Sequence, residues 1–222
     1  MENKILRFSR TWRVQHMLLM ISVFLLILSG FSLKYSHTLF GKVLIFLEGG
    51  FEARGSLHRF SAFILIFTTI YHVFYIFFTK EGRKEFKLLL PCKRDFFDLI
   101  NSVLYNIGKI DKKPEFDRYS YKEKLQYWTV SLFLLLMIFS GVILMFHDFF
   151  FYVFPKWIFD LSFAVHSWTA TLFIIFLVLW HFYIVHLSPS NFPINLSFWN
   201  GYVDEEWLKE NHYLEYKRLK EK

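Results

Sequence analysis

The sequence predicts an all-α fold: an integral membrane four-helix bundle with both termini in the cytoplasm. Three observations support this prediction. The 222 residues are 55% hydrophobic and 22% aromatic, with a mean hydropathy of +0.32. Four apolar runs are long enough to cross a bilayer, and the basic residues gather in alternate connecting segments. Glycine and proline are too few for a collagen-like or disordered chain. The single cysteine excludes an intramolecular disulfide, a Cys-rich zinc site and a C-x-x-C-H haem attachment.

The four predicted spans cover residues 16–33, 58–78, 127–146 and 161–187. A membrane-crossing helix needs about 20 mostly apolar residues, and each run is close to that length. The basic start of the chain resembles a signal peptide. However, the apolar run that follows is long, and Ser29-Gly30-Phe31 is not a small-residue cleavage site. We therefore expect the first run to be a retained span.

Lys and Arg determine the predicted orientation. Twenty-one of the 26 lie before the first span, in the segment 79–126 or in the tail 188–222. By the positive-inside rule these three regions are cytoplasmic, which gives a multi-pass protein of the inner membrane. The pI of about 9.3 then reflects topology and contact with anionic membrane lipid, and we expect no nucleic-acid partner. The segment 79–126 either covers the bundle surface or forms a lid for a partner or a quinone. The tail is expected to form a short helix.

A weak internal repeat links the two halves of the chain. The first span ends in Leu28-Ser29-Gly30-Phe31, and the third ends in Phe139-Ser140-Gly141-Val142. Each is followed by a span with one histidine near its start and another about four turns later. The small residues of spans one and three either allow a macrocycle to approach or serve helix packing; they are Ser22, Ser29, Gly30, Ser131, Ser140 and Gly141.

Six of the nine histidines lie in or at the ends of the spans: His16, His58, His72, His166, His181 and His186. A single intramembrane histidine is explained by a hydrogen bond to a neighbouring helix, but ionisable groups there are costly and mark functional sites. His58 and His72 are 14 residues apart, and His166 and His181 are 15 apart. On an α-helix these spacings separate the two histidines by about 21 and 22.5 Å along the axis. The rotation between them differs from four whole turns by about −40° and +60°. Each helix therefore presents one histidine near each membrane surface, on roughly one face.

Spans two and four run in the same direction, so His58 is expected level with His166, and His72 level with His181. Two facing imidazoles are what six-coordinate haem iron requires, and two levels give two stacked haems. A structural zinc site would need its ligands close together. Arg59 either pairs with a haem propionate near the outer surface or extends towards water.

The residues around these histidines resemble a known family. Leu57-His58-Arg59-Phe60-Ser61-Ala62 and Tyr71-His72-Val73-Phe74 resemble the second helix of cytochrome b from quinol-oxidising respiratory and photosynthetic complexes. Val165-His166-Ser167-Trp168 and Trp180-His181-Phe182-Tyr183 resemble its fourth helix, and the 14 and 15 spacings match the chloroplast type. The resemblance implies two b haems, one bound by His58 and His166 and one by His72 and His181.

The chain is also similar to the gamma subunit of membrane formate dehydrogenases and to hydrogenase-type cytochrome b. This similarity rests on the length, the four spans, Arg13-Val14-Gln15-His16 and the run 116–128 before the third span. It implies that His16 replaces His72 as the inner-haem ligand. If His72 is the ligand, His16 is a quinone-binding group or, with His186, forms a third haem site.

The resemblance implies a dihaem b-type cytochrome subunit that moves electrons between the quinone or menaquinone pool and a partner. The expected partner is a periplasmic multihaem cytochrome c, or a dehydrogenase or iron–sulfur subunit, docked near the His58–His166 haem. The quinone is expected among His16, Tyr183 and His186. The alternative function is a non-redox, histidine-lined channel or transporter for metal ions. Cys92 is expected to be an ordinary thiol.

Overall fold

In a computed structural model, which describes residues 4–221, the chain is almost entirely helical. The helices are α1 (Arg10–Lys34), α2 (Leu39–Leu47), α3 (Phe51–Phe78), α4 (Lys80–Leu89), α5 (Lys93–Asn106), α6 (Tyr121–Met145), α7 (His147–Phe150), α8 (Lys156–Phe176, continued by a π-helix over Leu177–Leu187), α9 (Ser197–Asn200), α10 (Glu205–Asn211) and α11 (Tyr213–Lys220). Strands β1 (Lys4–Leu6) and β2 (Tyr202–Asp204) form a two-stranded antiparallel sheet.

The four predicted spans are confirmed. Four helices are long and apolar enough to cross a membrane: Arg10–Lys34, Phe51–Phe78, Tyr121–Met145 and Lys156–Leu187. All four helices begin before the predicted apolar run, since helical hydrogen bonding continues into polar residues at the membrane surface. The connections between the predicted spans are more helical than the span boundaries suggest. Residues 35–57, after the first predicted span, contain helix α2 and the first two turns of α3. Residues 147–160, after the third, contain α7 and the start of α8.

The fourth span departs from α-helical winding. It is α-helical to Phe176 and π-helical from Leu177 to Leu187, a stretch that contains His181 and His186. A π-helix closes its hydrogen bonds from i to i+5, so each residue turns the chain by less than in an α-helix. The rotation of about +60° predicted between positions 166 and 181 assumed continuous α-helix and is therefore wrong for the last turns.

The described residues form two compact units. The first unit holds the chain up to Arg10, Phe74–Ser131 and the chain from His181 onward; the second holds Thr11–Val73 and Leu132–Trp180. In the first unit β1 pairs with β2, with Ile5 opposite Val203. The N-terminal segment and the tail therefore lie side by side. The charge count also included Lys222, which lies outside the described residues.

A buried ionic cluster ties the first unit together. Arg7 contacts Glu215 at 2.6 Å, and Arg118 contacts both Glu215 and Glu85 at 2.7 Å. These ion pairs connect the N-terminal segment, the 79–126 segment and the tail. The three segments predicted to share one side of the membrane are thus in mutual contact. The predicted short helix of the tail is three short helices and one strand.

The second unit is built around small polar residues. Ser22, Ser29, Ser32 and Ser61 are fully buried, which lets the helix backbones approach closely. Phe133 of α6 packs on Phe173 of α8 with ring centroids 5.4 Å apart. Many large apolar side chains, such as Phe60 and Phe67 at 62% and 69% exposure, point outwards. Outward-facing Phe is expected where the surrounding solvent is lipid.

A facing histidine pair as the candidate functional site

The side chains of His58 on α3 and His166 on α8 face each other within the second unit. Their ring centroids are 6.3 Å apart and their planes are inclined at 66°. These are the two residues that the spacing argument placed at one level. The structure therefore brings together the predicted outer pair.

The separation of the two rings fits a metal ion between them. Two imidazoles that bind one metal from opposite sides have ring centroids about 6 Å apart, because a metal–nitrogen bond is about 2 Å and the centroid lies about 1 Å behind the nitrogen. The observed 6.3 Å agrees with that value. A direct hydrogen bond between the rings would bring them closer.

A serine hydroxyl fixes the tautomer of each ring. Ser29 Oγ donates its proton to the Leu25 carbonyl at 2.7 Å and lies 2.9 Å from His58 Nδ1. Since a hydroxyl has one proton, the second contact must be donated by His58 Nδ1–H. The lone pair of His58 is then on Nε2, the atom left to bind a metal.

The same arrangement recurs at the other histidine. Ser140 Oγ donates to the Leu136 carbonyl at 2.6 Å and lies 3.0 Å from His166 Nδ1. Both rings are thus set in the Nε2-ligand tautomer by a serine on the preceding span. Two imidazoles at one level that each keep Nε2 for a metal are the donor set that a bis-histidine haem requires.

A glycine follows each of these serines and lies beside the ring, and at Gly141 the ring needs the space that a side chain would take. A Cβ on Gly141 would lie 3.0 Å from His166 Cε1, and a Cβ on Gly30 would lie 3.6 Å from His58 Cε1. At Gly141 a side chain would push the imidazole from its position. In both halves the Ser-Gly repeat therefore places a serine hydroxyl against the histidine of the following span, and the need for glycine is clear at Gly141.

His72 is held in a similar way. Its Nδ1 lies 2.8 Å from Gln15 Oε1, and the Trp12 ring packs edge-on against it at 5.5 Å. An amide oxygen accepts hydrogen bonds, so His72 donates from Nδ1 and also keeps Nε2 for a ligand. Gln15 and Ser29 are 14 residues apart, as are His72 and His58, so α1 contacts both histidines of α3 in one antiparallel register.

The other predicted residues take different positions. His16 follows Gln15 on α1, in the second unit. His181 and His186 belong to the first unit, on the π-helical segment. His186 packs between Phe182 and Phe198, with ring centroids 5.2 and 5.6 Å away. Arg59 is exposed and contacts Ser56 Oγ at 3.4 Å.

Sequence reasoning missed two polar groups near the pair. Arg54 Nη1 donates to the Ser29 carbonyl at 2.9 Å, and Lys34 Nζ donates to Thr171 Oγ1 at 2.7 Å. It also gave Ser29, Ser140 and Gln15 no hydrogen-bonding role towards histidine. The equal 14-residue intervals on α1 and α3 were the signal that could have found the Gln15 contact.

Comparison with known families decides the class. The family model described as prokaryotic cytochrome b561 matches residues 7–190, a range that includes all six span histidines. The chain belongs to the prokaryotic cytochrome b561 family. It is therefore a multi-pass, b-type haem protein of membrane electron transfer, which confirms the resemblance to haem-binding b cytochromes. No curated protein matches the chain significantly.

Proposed function

We propose that this cytochrome b561 is a dihaem membrane subunit that carries electrons between the quinone or menaquinone pool and a partner redox subunit. The observation that supports it best is the His58–His166 pair, with rings 6.3 Å apart and each Nδ1 bonded to a serine. Haem supplies reversible one-electron transfer when bound; the protein sets its position and potential.

In this proposal His58 and His166 would bind the iron of the outer haem through Nε2. Ser29 and Ser140 keep each ring from rotating and make it a stronger ligand by accepting a hydrogen bond from its Nδ1–H. Gly141 leaves space for the His166 ring. Arg59, with its exposed guanidinium one residue after His58, would pair with a haem propionate at the outer end.

The inner haem is proposed to lie between His72 and His181. The Gln15 contact supports His72, because it leaves Nε2 for iron in the same tautomer as in the outer pair. His16 remains the competing ligand, and with His186 it would otherwise serve quinone binding or a third haem. His186 Nδ1 is buried without a hydrogen-bond partner among residues 4–221, which suits a group that meets a ligand.

In this proposal the protein lies in the inner membrane with both termini in the cytoplasm, which the distribution of Lys and Arg supports. A periplasmic multihaem cytochrome c, or a dehydrogenase or iron–sulfur subunit, would then exchange electrons with the His58–His166 haem. The quinone would bind at the opposite end, near His16, Tyr183 and His186.

Haem stoichiometry and ligand variants test the proposal. A pyridine haemochrome assay of the purified protein should give two b haems per chain, released by acid acetone because none is covalent. His58→Ala and His166→Ala should each lose one haem, and the same one, since iron keeps two strong axial ligands only when both imidazoles are present. One haem in the parent protein, or losses of different haems in the two variants, would contradict it.

A further inference from the structure

Helix α4 exposes a basic stripe. Lys80, Arg83, Lys84 and Lys87 are all exposed and recur at intervals of three or four residues, so they follow one face of the helix. The opposite side is buried through Gly82, Glu85 and Leu89. Four cations on one short helix repel one another unless an anionic partner lies opposite.

Helix α5 is amphipathic, but its polar face is turned towards the protein and its apolar face is exposed, the opposite of a surface helix on a water-soluble domain. Its polar side faces the protein: Asp95 pairs with Lys124 at 2.9 Å, and Ser102 is buried. Its apolar side faces outwards, with exposures of 39–62% for a set that comprises Phe96, Phe97, Ile100, Val103 and Ile107. A helix in contact with water normally buries that face.

Contacts within the first unit hold helix α4, and α5 after it, beside the end of the second span and the start of the third. Helix α4 begins two residues after Phe78 ends the second span, and a Cβ on Gly82 would overlap the carbonyl oxygen of Tyr75 in its last turn. Trp128, in the second turn of the third span, donates to the Leu89 carbonyl at 3.0 Å. Trp is enriched where the hydrocarbon meets the headgroups, so the end of α4 and the start of α5, four residues later, are expected at that level.

We propose that the exposed faces of α4 and α5 together bind the surface of the membrane leaflet on the side of the termini. Helix α5 lies in the plane of that leaflet with its apolar face among the acyl chains. The basic stripe of α4 binds anionic headgroups. Lys93 and Lys109 at the two ends of α5 add to the positive rim. The combination of an apolar face and a cationic rim suits an anionic lipid surface.

The test uses single cysteines carrying the environment-sensitive dye NBD, in the Cys92→Ser background, with the full chain in lipid nanodiscs. Ile100→Cys places the dye on the apolar face, and Asn101→Cys is the exposed control on the flank of the same helix. Doxyl-labelled lipid should quench the dye at position 100 about twofold more than at 101 and shift its emission to the blue. Val103→Cys and Asn106→Cys repeat the comparison if the first pair folds poorly.

A charge variant tests the headgroup part. Changing Lys80, Arg83, Lys84 and Lys87 to Gln should remove the extra quenching that position 100 shows in nanodiscs with phosphatidylglycerol relative to phosphatidylcholine alone. Equal quenching at positions 100 and 101 would overturn the proposal and indicate that α5 instead awaits a protein partner. If quenching at position 100 of the parent protein is the same with and without phosphatidylglycerol, the proposed role of α4 is overturned.

A second and independent observation concerns Gln126. Gln15 precedes Ser29 by 14 residues, and Gln126 precedes Ser140 by the same interval. Three of the four positions in this repeat already contact a histidine of the next span: Ser29 contacts His58, Ser140 contacts His166 and Gln15 contacts His72. The fourth, Gln126, has a buried Oε1 without a hydrogen-bond partner in the described part of the chain.

We infer that Gln126 is the positioning residue for His181, accepting a hydrogen bond from its Nδ1. Both residues belong to the first unit. The contact would complete the repeat and leave His181 Nε2 for iron, as the other three contacts do for their histidines. This inference rests on the proposed function, which makes His181 an axial ligand.

Redox titration and electron paramagnetic resonance of the purified dihaem protein test it. Gln126→Leu should raise the midpoint potential and shift the low-spin signal of the haem that His181→Ala removes, since a ring that loses its acceptor is a weaker ligand to ferric iron. Gln126→Glu, which keeps an acceptor, should reverse the direction of the shift. If Gln126→Leu loses the haem, Gln126→Glu should restore it.

The two possible failures are distinguishable. If His181→Ala retains both haems, the proposed ligand set is wrong. If His181→Ala loses a haem and Gln126→Leu leaves the signal and potential of that haem unchanged, the inference about Gln126 alone is overturned.

Discussion

At the scale of single residues, the serine contacts give the histidine pair its chemistry. Ser29 and Ser140 each use their proton on a helix carbonyl and accept from a histidine Nδ1. An imidazole that donates a hydrogen bond is a more basic ligand, so it stabilises ferric over ferrous iron. If the proposed outer haem is bound by this pair, its potential would therefore depend on two hydroxyl groups that do not touch the iron.

We predict that Ser29→Ala raises the midpoint potential of the outer haem without loss of haem content. Ser140→Ala should act in the same direction on the same haem. Ser22→Ala is the matched control, because Ser22 is equally buried but donates to the Leu19 carbonyl in its own helix. Redox titration followed by absorbance measures both haems at once. A shift confined to the inner haem would contradict the assignment.

The sequence predicted which histidines form the outer pair but not what holds them. The spacing of His58 and His72 follows from α-helical periodicity, which composition and pattern reveal. The hydrogen bond from His58 to Ser29 depends on the register between α1 and α3, and that register is a property of packing. From the sequence alone, a serine in an apolar span is interpreted as a helix-packing residue, because the residue that faces it on the adjacent helix is not known.

At the scale of elements, the π-helical end of the fourth span is the largest departure from expectation. Each π-helical residue turns the chain by about 80° instead of 100°. On a continuous α-helix, His181 would lie about 60° past four whole turns from His166, and the π-helical winding reduces that excess. This gives the 15-residue interval a physical reason: one extra residue is accommodated by wider turns. Nothing in the apolar run 177–187 signals this winding.

The inner ligand is settled by variants on two different helices. If His72 and His181 bind the inner haem, His72→Ala should abolish its low-spin signal and leave the outer haem reducible, because no second strong ligand replaces the imidazole. His16→Ala should then keep both haems and impair only quinone turnover. Electron paramagnetic resonance of the oxidised protein measures which signal disappears.

The formate-dehydrogenase-like arrangement gives the opposite outcome, in which His16→Ala removes the haem and His72→Ala spares it. If each variant loses a different haem from a larger total, a third haem that uses His16 becomes the better account.

At the scale of the whole molecule, the buried ionic cluster makes the first unit sensitive to acid. His212 is buried, donates from Nδ1 to the Asp117 carbonyl at 2.6 Å, and has Arg7 Nη2 3.1 Å from Nε2. Burial lowers the pKa of His212; Glu123 opposes this shift and Arg7 adds to it. The folded unit thus holds His212 neutral.

We predict that the pairing of β1 with β2 weakens as the pH falls below about 6.5, because the unfolded chain then binds a proton that the folded unit resists. The protection factors of the β2 amides, which correct for the intrinsic slowing of exchange in acid, should fall between neutral pH and pH 5.5. His212→Gln should flatten that dependence, and His147→Gln, at an exposed histidine, should leave it unchanged. Protection factors that do not change with pH in the parent protein would contradict the prediction.

The charge distribution and the contacts between segments together predict the topology. Strand pairing places Lys4–Leu6 beside Tyr202–Asp204, and Arg118 links both regions to the 79–126 segment, so all three lie on one side. These segments carry most of the Lys and Arg, so the positive-inside rule predicts that this side is cytoplasmic.

A reporter that is active only in the periplasm should therefore be silent when fused after Lys222. The same reporter inserted after Tyr152, which is 89% exposed between the third and fourth spans, should be active. The reverse pattern would move the termini, the basic stripe of α4 and the proposed quinone site to the outer surface, and would place the His58–His166 haem at the cytoplasmic end.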